Sequence, residues 1–110
     1  MNDLITDIDL PTANQIIHHC EHIFYKKETI LIYKKHVPLV AYLLVKGRID
    51  LIKLPKKELV TTLEPKQVLG LKELFNHNPF KLQAIAHPKT EIACIDKSFL
   101  FSLLEQHSIA

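Results

Sequence analysis

The spacing of hydrophobic positions changes once, near Lys27, and that change divides the chain into a helical start and an extended middle. From Thr12 to Tyr25, the residues Ile16, Ile17, Cys20, Ile23 and Phe24 recur at helical spacing, and Pro11 and Thr12 suit a helix start. A helix is therefore predicted over 12–25, preceded by a short, partly apolar arm over 1–10. Beyond Lys27, Thr29–Tyr33 is a β-branched and aromatic run, and Leu39–Val45 is a nearly continuous apolar one. Arg48–Leu54 alternates Ile49, Leu51 and Leu54 against Asp50 and Lys53, which predicts a hairpin centred on Gly47. Pro55 turns the chain again, and Glu58–Leu63 returns as a strand. No helical period survives across 29–63, so the core is expected to be β, with about eight short antiparallel strands in all.

In the second half, Gly70 opens a short helical turn over Leu71–Phe75. Asn76, His77, Asn78 and Pro79 end it, and Lys81–Ala86 alternates as a strand. Thr90–Ile95 reads as the last strand. Asp96 then suits the N-cap of a final helix running to about His107, with Phe99, Leu100, Leu103 and Leu104 as its apolar stripe. A glycine that opens a helix between two strands puts free backbone N–H groups where a small anion could bind, so residues 69–86 are where a ligand would sit if the protein holds one.

Composition narrows the function. The 110 residues fit one domain, 1–110, and 47% apolar with 24% charged residues is the balance of a folded globular protein. No apolar run approaches a membrane span, and the acidic start Met-Asn-Asp-Leu-Ile-Thr-Asp is unlike a secretory signal, so a cytoplasmic, non-membrane protein is expected. Cys20 and Cys94 read as free thiols. A net charge of +2 with scattered lysines gives no reason to expect nucleic acid as a partner. His18 and His22 stand four apart beside Cys20 and Glu21, but Cys20 lies on the opposite, apolar stripe, so a solvated histidine face is expected rather than a metal site. Cys94 with His87 is the nearest approach to a nucleophile and base, and Cys94 reads first as packing. No catalytic constellation is expected.

Residues 69–86 resemble the phosphate-binding cassette of the cyclic-nucleotide-binding domain family, the β-roll of catabolite-activator-type regulators. Gly70 takes the family glycine, Leu74 and Phe75 the apolar pair, Pro79 a frequent proline, and Ala84–Ala86 the next strand. Ala41–Leu51, Ala-Tyr-Leu-Leu-Val-Lys-Gly-Arg-Ile-Asp-Leu, is similar to the family's aromatic-apolar strand, glycine turn and following strand. Lys27-Glu28-Thr29-Ile30 resembles the opening of its first strand, with Lys27 in place of a glycine. The resemblance covers about residues 12–105 and implies a mainly β jelly roll, a double-stranded β-helix with flanking N- and C-terminal helices. Two departures matter. Leu71 stands where the family's ribose-binding Glu is expected, and Phe80 where its phosphate-binding Arg is expected; Lys81 is adjacent, but points to the other side of an extended chain. The long further helix and the helix-turn-helix domain of the transcription factors do not follow in this sequence.

The candidate ligand-binding residues are thus Gly70, Leu71, Lys72, Glu73, Phe80, Lys81, Leu82 and Gln83. A pocket filled by Leu71 and Phe80 is more economical than an empty apolar cavity, which costs about 24 cal/mol per Å³. The expectation is a non-enzymatic regulatory or interaction module with no cofactor, working through a homodimer or a partner protein at apolar surface near the cassette and final helix. The alternative is a sensor that holds a cyclic nucleotide on backbone N–H groups of Gly70–Glu73 with Lys72 or Lys81.

Overall fold

The computed structural model describes residues 4–106. Two antiparallel sheets face each other. The first orders β1 (Ile5–Asp7), β7 (Gln67–Leu69), β4 (Val40–Lys46), β9 (Thr90–Asp96) and β2 (Glu21–Tyr25). The second orders β3 (Thr29–Ile32), β8 (Gln83–Ala86), β5 (Ile49–Lys53) and β6 (Glu58–Leu63). Helices α1 (Leu10–His19), α2 (Leu71–Asn76) and α3 (Lys97–Gln106) complete the described chain.

The central strands β4 and β9 serve two cores, which is why β4 reads as an unbroken apolar run. Leu44 and Ile92 point between the sheets and join Ile49, Leu51, Leu63 and Leu69. Ala41, Leu43, Ala93 and Ile95 point to the other face and pack with Ile16, Leu74, Leu100 and Leu103 of the three helices. Burying one such Leu or Ile contributes about 1.5–3 kcal/mol, so the five-stranded sheet is held from both faces.

Three features differ from the sequence reading. The first helix ends at His19, not Tyr25: Cys20 caps it and Glu21–Tyr25 forms a strand along β9. Ile23 and Phe24 fit a helical stripe by spacing alone, but the aromatic and β-branched run gains more from a ladder on β9 than from extending an amphipathic helix. The arm over 1–10 is structured where it is described, with Ile5–Asp7 adding a ninth strand on β7 and Asp9 capping α1 through a 2.8 Å bond from the Thr12 N–H. Gly47 is not the centre of a hairpin. Strands β4 and β5 do not pair, and the turn carries the chain from one sheet to the other. Gly47 has φ +99°, and a Cβ there would lie 2.5 Å from Thr90 Oγ1 and 2.6 Å from Thr90 Cα. Thr90, fully buried, closes the crossing by accepting from the Arg48 N–H and donating to the Arg48 carbonyl, both at 3.1 Å. The β5–β6 hairpin forms as read, with Pro55 after a cis peptide bond in its turn. Asp96 caps α3 by accepting from the Phe99 N–H at 2.7 Å. The end near His107 lies outside the described residues.

Candidate functional site

Gly70 sits between β7 and α2 with φ +81°, a left-handed conformation that favours glycine. Its N–H donates to the Leu4 carbonyl at 2.8 Å and its carbonyl accepts from the Leu74 N–H at 3.0 Å, which starts α2. The helix ends after one and a half turns because His77 is also left-handed (φ 59°) and its N–H returns to the Glu73 carbonyl, as does that of Asn78 at 3.0 Å.

The chain then brings Phe80 back against Gly70. A Cβ on Gly70 would stand 2.8 Å from Phe80 Cε1 and 2.9 Å from Cζ, so the ring occupies the space directly beside the glycine. Phe80 is 3% exposed and belongs to the core between the sheets. Its backbone is clamped on both sides by the loop after β3: its N–H donates to the His36 carbonyl at 2.8 Å, and its carbonyl accepts from the Lys35 N–H at 2.7 Å. Lys35 adopts φ 75° to do so. The family resemblance set Phe80 at the position expected for a charged ligand contact, but the partner loop, forty-odd residues upstream, carries no signal that would reveal the clamp.

The other candidates divide around this point. Leu71 does not share a pocket with Phe80. It packs on the helix side, against the cluster of Ile16, Leu74 and Leu100, because the residue after a left-handed Gly70 already faces α1 and α3. Lys72 is exposed and Glu73 part-buried on α2. Lys81 is exposed, Leu82 packs against the inter-sheet core, and Gln83 begins β8 opposite Ile52. The site therefore has an inner side, formed by Gly70, Phe80 and Leu82, and an outer one, formed by Leu71.

Each side borders an apolar depression. Beside Phe80, a cleft of about 450 Å³ is lined by Leu31, Ile32, His36, Val37, Leu39 and Tyr42 among others. No lysine or arginine lines it. Tyr42 is pushed up to about 12 by burial, with Cys94 and Tyr25 adding to the effect, so its hydroxyl stays neutral. Outside, Leu71 and Phe75 of α2 meet Leu100 and Leu104 of α3 in a groove of about 470 Å³. Phe75 and Phe101, 49% and 46% exposed, make an edge-on ring contact there at 5.9 Å.

His22, His87 and the two cysteines take structural places. His22 lies on β2, so it cannot share a helical face with His18. Its Nδ1 faces Glu91 Oε2 at 2.7 Å and its Nε2 faces the Ile17 carbonyl at 2.6 Å; two acceptors are satisfied together by the imidazolium. The bond from Glu91 leads in raising the His22 pKa, and the same bond leads in lowering that of Glu91. His87, far from serving Cys94, meets Asp50 Oδ2 at 2.6 Å, and Arg48 and Thr62 both donate to Oδ1 at 2.9 Å. Burial of Asp50 works against ionisation, but these bonds outweigh it and hold the carboxyl below its ordinary value. Burial pushes the Cys20 thiol up to about 11 and the Cys94 thiol upward as well, which opposes thiolate chemistry at either. Among the described residues, no group of three or more His, Cys, Asp or Glu side chains could hold a metal ion, and no helix is long and apolar enough to cross a membrane.

Comparison with known proteins places this geometry. The family model for the cyclic nucleotide-binding domain matches residues 22–107. No curated protein matches by sequence. Among solved structures, the catabolite activator protein of Thermus thermophilus superposes with a TM-score of 0.77 at 14% identity, over 92% of this chain and 49% of that one. The N-terminal domain of a transcriptional regulator from Streptomyces coelicolor A3(2) gives 0.71 at 13% identity, over 92% and 72%. A cyclic nucleotide-binding-like protein from Brucella abortus gives 0.71 at 21% identity, over 86% and 84%. The chain spans about half the length of the catabolite activator protein. At these identities the likeness carries the fold, a mainly β roll with flanking helices.

Proposed function

The chain belongs to the cyclic nucleotide-binding domain family, and we propose that it is a non-enzymatic regulatory module whose nucleotide place is closed by its own side chain and which acts through contact with a second copy or a partner protein. The observation that carries this is Phe80. Its ring lies against the Gly70 backbone, is held there by two backbone bonds to the 35–36 segment, and stands at the position where the family resemblance expects a phosphate-binding arginine. A cyclic phosphate brought to Gly70 would displace a buried phenyl ring and meet no bidentate cation in return, a loss of roughly 1.5–3 kcal/mol for the missing charged bond alone. Domains of this family are generally regulatory and non-catalytic, and the raised thiols and the His87–Asp50 pair oppose a nucleophilic reading. Exposed Phe75 and Phe101 supply the kind of apolar surface that mediates protein contact. Free Cys20 and Cys94 suit a reducing cytoplasm.

Calorimetry with cyclic AMP, cyclic GMP and cyclic dinucleotides tests this. No heat of binding is expected at micromolar ligand, and micromolar affinity for any of them would overturn it. A second reading has one observation in its favour, the apolar cleft beside Phe80 with Tyr42 and His36 as its polar groups. That cleft would suit a small uncharged ligand rather than a nucleotide. Displacement of the neutral dye Nile red by such a ligand, lost on Tyr42→Ala, would favour this reading instead.

A further inference from the structure

Among the described residues four strands end a sheet: β1 and β2 in one, β3 and β6 in the other. An edge strand presents a row of unpaired backbone N–H and C=O groups, and folded proteins usually blunt it by shortness, by a bulge or by charge. Three of the four are blunted by shortness or by a bulge. β1 has only three residues. In β3, Ile30 pairs with Ile85 and Ile32 with Ala84, which leaves Leu31 as an extra residue. In β6, Val60 is left over in the same way between Leu59 and Thr61. A bulge bends and twists its strand and spoils it as a template. β2 has no such irregularity: its five residues pair with β9 in unbroken register, from Glu21 opposite Cys94 to Tyr25 opposite Thr90. It also leaves Ile23 and Phe24 37% and 47% exposed.

We propose that the β2 edge is a self-association surface, on which two copies of this chain pair antiparallel about a two-fold axis through Ile23 and join their first sheets into one. The inference rests on the interaction-module reading above and names its surface. With the axis perpendicular to the sheet, strand alternation keeps each facing pair on one side. Ile23 then meets the partner's Ile23, on the side of Ile92 and the inter-sheet core. His22 meets the partner's Phe24 on the helix side, where the Phe24 ring already takes Lys46 Nζ at 5.6 Å from its centroid. Glu21 meets the partner's Tyr25 and comes toward the partner's Lys26 and Lys27, so the charges of the strand complement themselves.

The charges also bear on the register. Slipping the pairing by two residues one way sets the His22 imidazolium opposite the partner's His22, and like charges directly opposite across a ladder are unfavourable, so that slip is disfavoured. Slipping it the other way sets His22 opposite the partner's Lys26 but Glu21 opposite the partner's Lys27, so there the charges offset one another. A five-residue edge is small beside ordinary stable interfaces, which makes this a reversible, concentration-dependent dimer.

Sedimentation velocity of the full chain, from micromolar to near-millimolar concentration, tests it. The wild type is expected to pass from monomer to dimer. Ile23→Lys, which sets two ammonium groups against each other at the axis, should weaken association at least tenfold, whereas Leu59→Lys on the bulged β6 edge should leave it unchanged. Glu21→Lys should also weaken it, and adding Lys26→Glu with Lys27→Glu should restore it, a rescue that keeps the question open to refutation even if Ile23→Lys misfolds. A wild type that stays monomeric throughout overturns the proposal. So does a dimer untouched by both Ile23→Lys and Glu21→Lys; association through another surface would then stand, while cyclic nucleotide binding would strike the module reading and leave the β2 edge intact.

Discussion

Gly70→Ala perturbs the contact on which the closed nucleotide place depends. The substitution acts twice. An L-residue at φ +81° costs about 1–2 kcal/mol from the clash of Cβ with the backbone. The new methyl also lies 2.8 and 2.9 Å from two ring carbons of Phe80, well inside contact distance. Phe80 is buried and tethered at its backbone by His36 and Lys35, so it cannot swing away without disturbing the core, and overpacking of this kind costs about 1–3 kcal/mol. The sum, about 2–5 kcal/mol, is a large part of the stability of a domain this size. Urea unfolding followed by far-ultraviolet circular dichroism would read it as a lower midpoint with an unchanged slope. The separation of the two costs is the sharper test. Phe80→Leu removes the ring edge but leaves the backbone strain, so in a double-mutant cycle the strain cancels and the clash does not. Gly70→Ala should cost about 1–3 kcal/mol less in the Phe80→Leu background than in the wild type. Additive effects, within about 0.5 kcal/mol, would refute the ring-on-glycine contact.

Phe80→Arg with Leu71→Glu, which writes the family's two expected charges into this chain, should destabilise the fold by several kcal/mol through the buried guanidinium and should gain no cyclic nucleotide affinity in calorimetry; a folded variant that binds would contradict the packing. Thr90→Val should cost about 1–3 kcal/mol in urea unfolding, because it strips the hydroxyl that bonds the Arg48 N–H and carbonyl at the sheet crossing. The His22–Glu91 pair makes thermal stability depend on pH in a defined way. The His22 pKa is raised in the folded state, so its contribution is full below 6.5 and is lost as pH rises through the folded value; the Glu91 pKa is lowered, so its contribution is full above 4.5 and is lost as pH falls through the folded value. A melting-temperature series should place the pair's benefit between those limits, and His22→Gln should flatten both limbs, because the one bond leads in both shifts.

The sequence made much of this fold legible through local signals. The alternation on β5, the glycine before α2 and the Asp96 cap each act within a few residues, and each is where it was expected, whereas the change from helical to extended chain comes at Cys20 rather than Lys27. The misreadings share a cause, which is that pairing partners lie far apart in the chain. Ile23 and Phe24 satisfy a helical spacing and a strand equally well, and only β9, about seventy residues later, decides between them. Gly47 looks the same in a hairpin as in a turn that changes sheets; the difference is Thr90, whose backbone crowds it. The resemblance set Leu71 and Phe80 in one pocket, and their separation onto opposite sides of the five-stranded sheet follows from the left-handed turn at Gly70 and the clamp by residues 35–36, neither of which residue types reveal.

The central claim is that the Phe80 ring fills the space beside Gly70, and nuclear Overhauser contacts between the Phe80 ring protons and the Gly70 α-protons measure it directly. The account predicts strong contacts, with the Gly70 α-protons shifted by the ring current, and both unchanged by a saturating excess of cyclic AMP or cyclic GMP. Absence of these contacts in the free protein, or their loss on adding either nucleotide, would contradict it.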